Sequence, residues 1–218
     1  MLLTKFTHAC IRLEKAGVAL VLDPGTFSEA AEALDGAAAI LITHEHADHF
    51  DQTEILAALS RDPALQVFAP AVVAGQLRTG APESAARIQD TLPDTEFELA
   101  GFSVRTFGGQ HALINPRIMP VANIGYLIDG NVFHPGDSFT VPDGIQAQTL
   151  LVPIHAPWSK TAEVVDFVNS VRAPKAFQIH DVLLSEIGLQ FVEGQVSLFG
   201  ARYGVEFRHL AVRESVEI

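Results

Sequence analysis

The chain has one cysteine among 218 residues, Cys10, so neither an internal disulfide nor a thiolate metal cluster can form. Cationic side chains are scarce: Lys and Arg number 14 against 26 Asp and Glu, a formal net charge of -12. A surface this acidic repels phosphate backbones and anionic lipid, which argues against nucleic-acid and membrane partners. No apolar run approaches the ~20 residues of a membrane span. The opening MLLTKFTHACIRLEK also lacks the basic region, long apolar stretch and small-residue cleavage site of a secretion signal. The expected location is the cytoplasm, and the expected partner is a small-molecule substrate, with a homo-oligomer left open. Linkers rich in Pro, Gly or Ser are missing, as are low-complexity tracts. One domain over 1–218 is therefore expected, its two halves meeting near residue 108.

What is present is an alternation of short apolar strands and amphipathic helices, the pattern of an α/β fold. Segments 2–7, 10–14 and 18–22 read as strands, the last ending at the turn signal Asp23-Pro24-Gly25. Ser28 is positioned to cap a helix to about Leu34, which Asp35-Gly36 stops. AAILIT, 38–43, reads as a strand covered on both faces, and Asp51-Gln-Thr-Glu54 opens a helix with capping-box chemistry. Further strands are expected at 66–69, 97–107 (a hairpin turning near Ala100-Gly101), 125–128, 132–134, 149–154, 176–180 and 205–212. Helices are expected at 71–77, 161–171 and 183–199.

Between the 38–43 strand and its following helix lies LITHEHADHF, residues 41–50. His44, His46 and His49 offer imidazoles suited to zinc, iron or manganese, and Asp48 adds a hard carboxylate oxygen. On a loop leaving a strand, so compact an HxHxDH can feed two neighbouring metals, although two metals need more ligands than one loop supplies. His111, Asp137 (in HPGDS) and His180 each follow a strand and form a set on that ground.

HxHxDH followed by a later His, an Asp in a PGDS turn and a final His resembles the metallo-β-lactamase superfamily across essentially the whole chain. Its length is similar to the small branch of metal-dependent hydrolases that includes the L-ascorbate-6-phosphate lactonases and is related to N-acyl phosphatidylethanolamine phospholipase D. The resemblance implies a four-layer αββα sandwich with the site at one edge between two sheets. It further implies two divalent ions, Zn2+ first and Mn2+ or Fe as alternatives. His44, His46 and His111 would hold one, Asp48, His49 and His180 the other, and Asp137 would bridge them. His8, in Phe6-Thr-His-Ala-Cys10, matches an early Gly-His-(Ala/Ser) element of that branch, with Thr7 replacing Gly, and is expected near substrate. Phe50-Asp51 departs from the small residue common after the loop in thiolesterase-like members. His46 stands where the di-iron redox branch usually carries Glu.

Two cations with a bridging hydroxide suit hydrolysis of an ester, lactone, amide or phosphodiester. Asp48 is then expected to orient the water or take its proton, and His155, just past the 149–154 strand, to donate a proton to the leaving group. Trp158 and Lys160 are expected to shape or charge the pocket. Arg117, in the proline-rich 113–123 segment, is expected with Lys160 to receive an anionic group, a solvated loop arginine being the plain alternative. Asp23 is expected to support the histidine loop by hydrogen bonds, and His134 to pack beside the Asp137 turn. The competing activities are a di-iron redox protein and a nuclease of the same fold.

Overall fold

Every second residue of VALVL faces a different core. Val21 packs outward with the first helices, whereas Leu20 and Leu22 join the apolar layer between two sheets. That alternation, repeated strand by strand, builds the molecule, described for residues 1–218 by a computed structural model. Strands β1 (Leu2–Lys5), β2 (Ile11–Lys15), β3 (Val18–Leu22), β4 (Ala39–Leu41), β5 (Gln66–Ala69) and β6 (Ile88–Asp90) form the first sheet. Its outer face is covered by α1 (Ala30–Ala33), α2 (Gln52–Arg61) and α3 (Ala71–Gly80). The second sheet is built from β7 (Glu96–Leu99), β8 (Phe102–Gly108), β9 (Ile124–Ile128), β10 (Val132–His134), β11 (Thr149–Pro153), β12 (Lys175–Ile179) and β13 (Glu206–Arg208). Helices α4 (Thr161–Val171) and α5 (Glu186–Gly200) cover its outer face through Val164, Phe167, Val168, Val192 and Val196. Leu151, Phe177 and Ile179 turn the other way, toward Leu20, Leu22 and Leu41 across the central layer. The order helix, sheet, sheet, helix is the expected αββα sandwich.

Three differences from the sequence reading have local causes. Pairing changes sheet between Asp90 and Glu96, not near residue 108, because the β7–β8 hairpin pairs onward with β9. The segment read as one strand over 205–212 keeps only Glu206–Arg208 in the second sheet. Arg213, at φ 68°, turns the chain back so that β14 (Ser215–Glu217) pairs with β1 in the first. Ser28 does not cap α1: its hydroxyl donates to the Gly25 carbonyl, and the helix begins only at Ala30. Asp51 does cap α2, accepting from the Glu54 N–H at 3.1 Å.

Parallel pairing of β3, β4 and β5, and of β10, β11 and β12, brings the carboxyl ends of these strands to one edge. The loops that carry the histidines all leave from that edge.

Candidate metal centre

The histidine loop is clamped by the turn before α1. Thr26 N–H donates to Ala47 O and Asp51 N–H to Pro24 O, and Gly25 lies so close that a Cβ there would overlap the Asp48 carbonyl. Asp23, fully buried, accepts from Thr43 N–H (2.7 Å), from the Thr43 hydroxyl (2.7 Å) and at 2.7 Å from His49 Nδ1. Thr43 in turn holds His44, whose Nδ1 is 2.9 Å from Oγ1; the hydroxyl hydrogen goes to Asp23, so His44 Nδ1 carries its own proton. His111 Nδ1 donates to Ala112 O and His180 Nδ1 to His155 O, each at 2.6 Å. Four imidazoles are thus held through Nδ1 with Nε2 turned inward, the arrangement that orients metal-binding histidines once any Nε2 proton has left.

Those inward atoms converge in two groups, His44, His46, His111 and Asp137 in one, His8, Asp48, His49 and His180 in the other; within each, all donor atoms lie within 4.8 Å of one another. His44 Nε2 faces His46 Nδ1 at 3.2 Å. Asp137 belongs to both surroundings: Oδ2 is 3.3 Å from His111 Nε2 and 3.2 Å from His180 Nε2, and Oδ1 is 3.1 Å from His49 Nε2. His49 Nε2, His111 Nε2, His180 Nε2 and Asp137 Oδ1 are buried without a hydrogen-bond partner. Leaving four such atoms unsatisfied costs roughly 1–3 kcal/mol each unless a ligand takes them. Three imidazole nitrogens with a carboxylate oxygen on each side fit a pair of divalent ions.

The electrostatics separate the histidines. Burial opposes charge on His49, but Asp137 and Asp23 on its two sides outweigh it and raise its pKa well above the histidine range. His180 is likewise raised to about 9, burial being overcome by Asp137 and Asp48. His44 and His46 are lowered, chiefly by burial and then by neighbouring histidines. Both carboxyls stay ionised: burial would raise Asp48 and Asp137, yet contacts with His180, His8, His49 and His111 pull them down. Near pH 7 the metal-free protein therefore carries protons on His49 and His180 that a metal must displace. Calorimetric titration in buffers of different ionisation enthalpy is expected to show roughly two protons released. The His180 share of that release, and its contribution to the rise of apparent affinity with pH, is lost as pH passes through about 9. A proton count of zero at pH 7 would contradict this.

The other expected site residues divide. His8, fully buried at φ 65°, shares a proton at 3.1 Å with Asp48 Oδ2 and packs at a tilt against His180 with ring centroids 4.0 Å apart, so it lies inside the second group. Thr7 bonds Glu29 through its N–H and hydroxyl, anchoring the His8 turn. Trp158 donates its indole N–H to Asp137 Oδ2 at 2.9 Å. His155 reaches the centre through its carbonyl; its ring, half-buried, is held below the usual histidine range by burial and by His180. Lys160 does not face the centre: it precedes α4, its side chain 81% exposed, with Nζ 3.3 Å from Glu163. Arg117 stands in solvent on an exposed loop after His111. His134 packs as expected, donating to Ala9 O and accepting from Gly136 N–H.

Sequence reasoning missed Asn123, whose amide accepts from Asp137 N–H and donates to Pro135 O, and the buried Lys5, paired with Asp181 at 3.2 Å beside His180. Gly136 at φ 62°, where a Cβ would strike Asn123 and Thr43, is the one local signal, a glycine between Pro and Asp in the ligand turn.

The sequence matches the β-lactamase superfamily domain over residues 2–180. It is 40% identical over 190 residues to protein Rv0786c of Mycobacterium tuberculosis, covering 85% of this chain and 86% of that one. Among solved structures it is similar to Igni18, a metallo hydrolase from Ignicoccus hospitalis, with a TM-score of 0.73 at 18% identity, covering 99% of this chain and 97% of that chain. It is also similar to CmlA, a diiron β-hydroxylase from Streptomyces venezuelae, with a TM-score of 0.73 at 12% identity, covering 100% of this chain and 54% of that chain. With the domain match spanning most of the chain and the αββα fold carrying its histidines at one sheet edge, the protein belongs to the metallo-β-lactamase superfamily.

Proposed function

We propose that this chain is a metal-dependent hydrolase with a two-metal site, acting on a small-molecule ester, lactone, amide or phosphodiester. The observation that carries this reading is the convergence of unsatisfied, buried Nε2 and carboxylate atoms in two groups, with Asp137 of the first also touching His49 and His180 of the second. His44, His46 and His111 would hold one ion, Asp48, His49 and His180 the other, with Asp137 between them. Divalent ions there supply an activated water at neutral pH and polarise the oxygen under attack, and the imidazole-rich donor set favours Zn2+ over harder ions. Asp48, kept ionised and held by His8, binds and orients; its low pKa makes it a weak proton store. The same logic leaves His155 its carbonyl role, the orientation of His180.

Lys5 is paired to Asp181 and Lys160 to Glu163, so neither ammonium is free for an anionic substituent. This supports substrates whose non-reacting part is uncharged. No helix is long and apolar enough to cross a membrane. A single buried cysteine, which can form no internal disulfide, supports a reducing cytoplasm, where we place the enzyme.

The test is metal analysis of protein purified without added metal, followed by assay on lactones, carboxylic esters, amides, phosphomonoesters and phosphodiesters. Turnover of a neutral ester or lactone that is lost with chelator and restored by Zn2+ or Mn2+ is expected. Two tightly held irons with oxygen consumption, and no hydrolysis across the panel, would replace this reading with a di-iron one.

A further inference from the structure

The loop between β11 and α4 carries Trp158, the only tryptophan of the chain. It is held at both ends. Ala156 and Ser159 close a tight turn around it through Ser159 N–H to Ala156 O at 3.0 Å and Ala156 N–H to Ser159 Oγ at 3.0 Å. The indole packs edge-on against Phe139, centroids 5.0 Å apart, and Phe139 leans on Phe167 of α4 at 5.2 Å. The other side of the ring meets one imidazole from each metal group, His111 at 6.0 Å and His180 at 6.5 Å. Between them its N–H reaches Asp137 Oδ2, the carboxylate oxygen that itself lies between His111 Nε2 and His180 Nε2.

We propose that Trp158 is the positioning residue of the shared carboxylate: its indole N–H selects the Asp137 rotamer that faces both metal groups and draws electron density from the oxygen they share. The proposal rests on the two-metal reading above. An indole is suited to this task because it donates one hydrogen bond, accepts none and carries no charge, so it neither competes as a ligand nor repels a cation. Its geometry is fixed by packing on Phe139 rather than by the metals, so the carboxylate is aimed before any ion arrives. Aiming of this kind is worth about 10- to 100-fold in metal affinity or activity when the outer partner is removed. Lys160 and His155, its sequence neighbours, have no such contact with Asp137.

Because the tryptophan is unique, its indole gives one 1H–15N cross-peak and one emission band. In metal-free protein the cross-peak is expected to exchange slowly with water. Zn2+, a diamagnetic probe, is expected to move it and to change the emission, with both signals reaching plateau at the stoichiometry found by calorimetry. Trp158→Phe keeps an aromatic ring beside Phe139 and removes the donor, at the cost of some ring volume. Its melting curve is expected to stay cooperative while Zn2+ binds about 10- to 100-fold more weakly. A wild-type protein that takes up two Zn2+ while its indole peak stays still and exchanges freely would overturn the positioning role and leave the two-metal reading standing. So would a Trp158→Phe variant with unchanged affinity. Failure of the wild type to bind a second Zn2+ would remove both.

Discussion

Asp137→Ala is expected to retain at most one divalent ion per chain after dialysis and to lose kcat/KM by at least about 10²–10³-fold, the range that removal of one preorganised electrostatic group costs. The size follows from its place. Asp137 alone among the carboxylates lies within 3.3 Å of all three of His49, His111 and His180, so its loss touches both metal groups at once, whereas loss of any one histidine touches one. It also removes the countercharge that raises His49 and His180, so both shed their protons more readily in the variant. The number of protons released per ion bound near pH 7 therefore falls as well as the stoichiometry, whereas partial unfolding lowers the stoichiometry and leaves the count per bound ion unchanged. Asp137→Asn keeps the volume and the Asn123 contact to its backbone N–H, which separates loss of charge from loss of packing. Two ions retained with wild-type turnover in either variant would remove Asp137 from the shared position.

That Asp137 and the histidines lie together was legible in the sequence because each follows an apolar strand, and parallel strands deliver their carboxyl ends to one edge. Their partners were not. Trp158 meets Asp137 across 21 residues and His8 meets Asp48 across 40, and neither contact leaves a periodicity or spacing behind. Lys160 misled because it stands five positions after His155. The chain turns at Ala156–Ser159, and Glu163 on the next helical turn draws the ammonium outward. The same limit governed the sheets. Long apolar strands such as β11 announce themselves, but β6 has one buried residue in three and β14 pairs with β1 across the length of the chain. Short edge strands carry too little burial to be read locally.

Asp23 is where fold and chemistry can be separated by two substitutions. Asp23→Ala strips the Thr43 N–H, the Thr43 hydroxyl and His49 Nδ1 of a shared acceptor in a fully buried site, and places alanine at φ 46°. Breaking such a buried charge network costs about 3–5 kcal/mol, which for a chain of this size is on the order of 10 °C in Tm. Asp23→Asn is different in kind. An amide oxygen can still receive the Thr43 N–H, leaving the NH2 group facing His49 Nδ1, where two donors would collide. The collision is relieved if His49 gives up its Nδ1 proton, accepts from the amide and carries its hydrogen on Nε2, the atom that faces Asp137 and the second metal group. Thermal unfolding of Asp23→Asn is therefore expected to lie much closer to wild type than that of Asp23→Ala. Its affinity for the second ion is expected to fall about 10- to 100-fold, as for other outer partners of metal-binding histidines. Calorimetry with Zn2+ and a parallel melting curve decide it: Asp23→Asn with wild-type second-site affinity would mean that the tautomer of His49 is set by something other than Asp23.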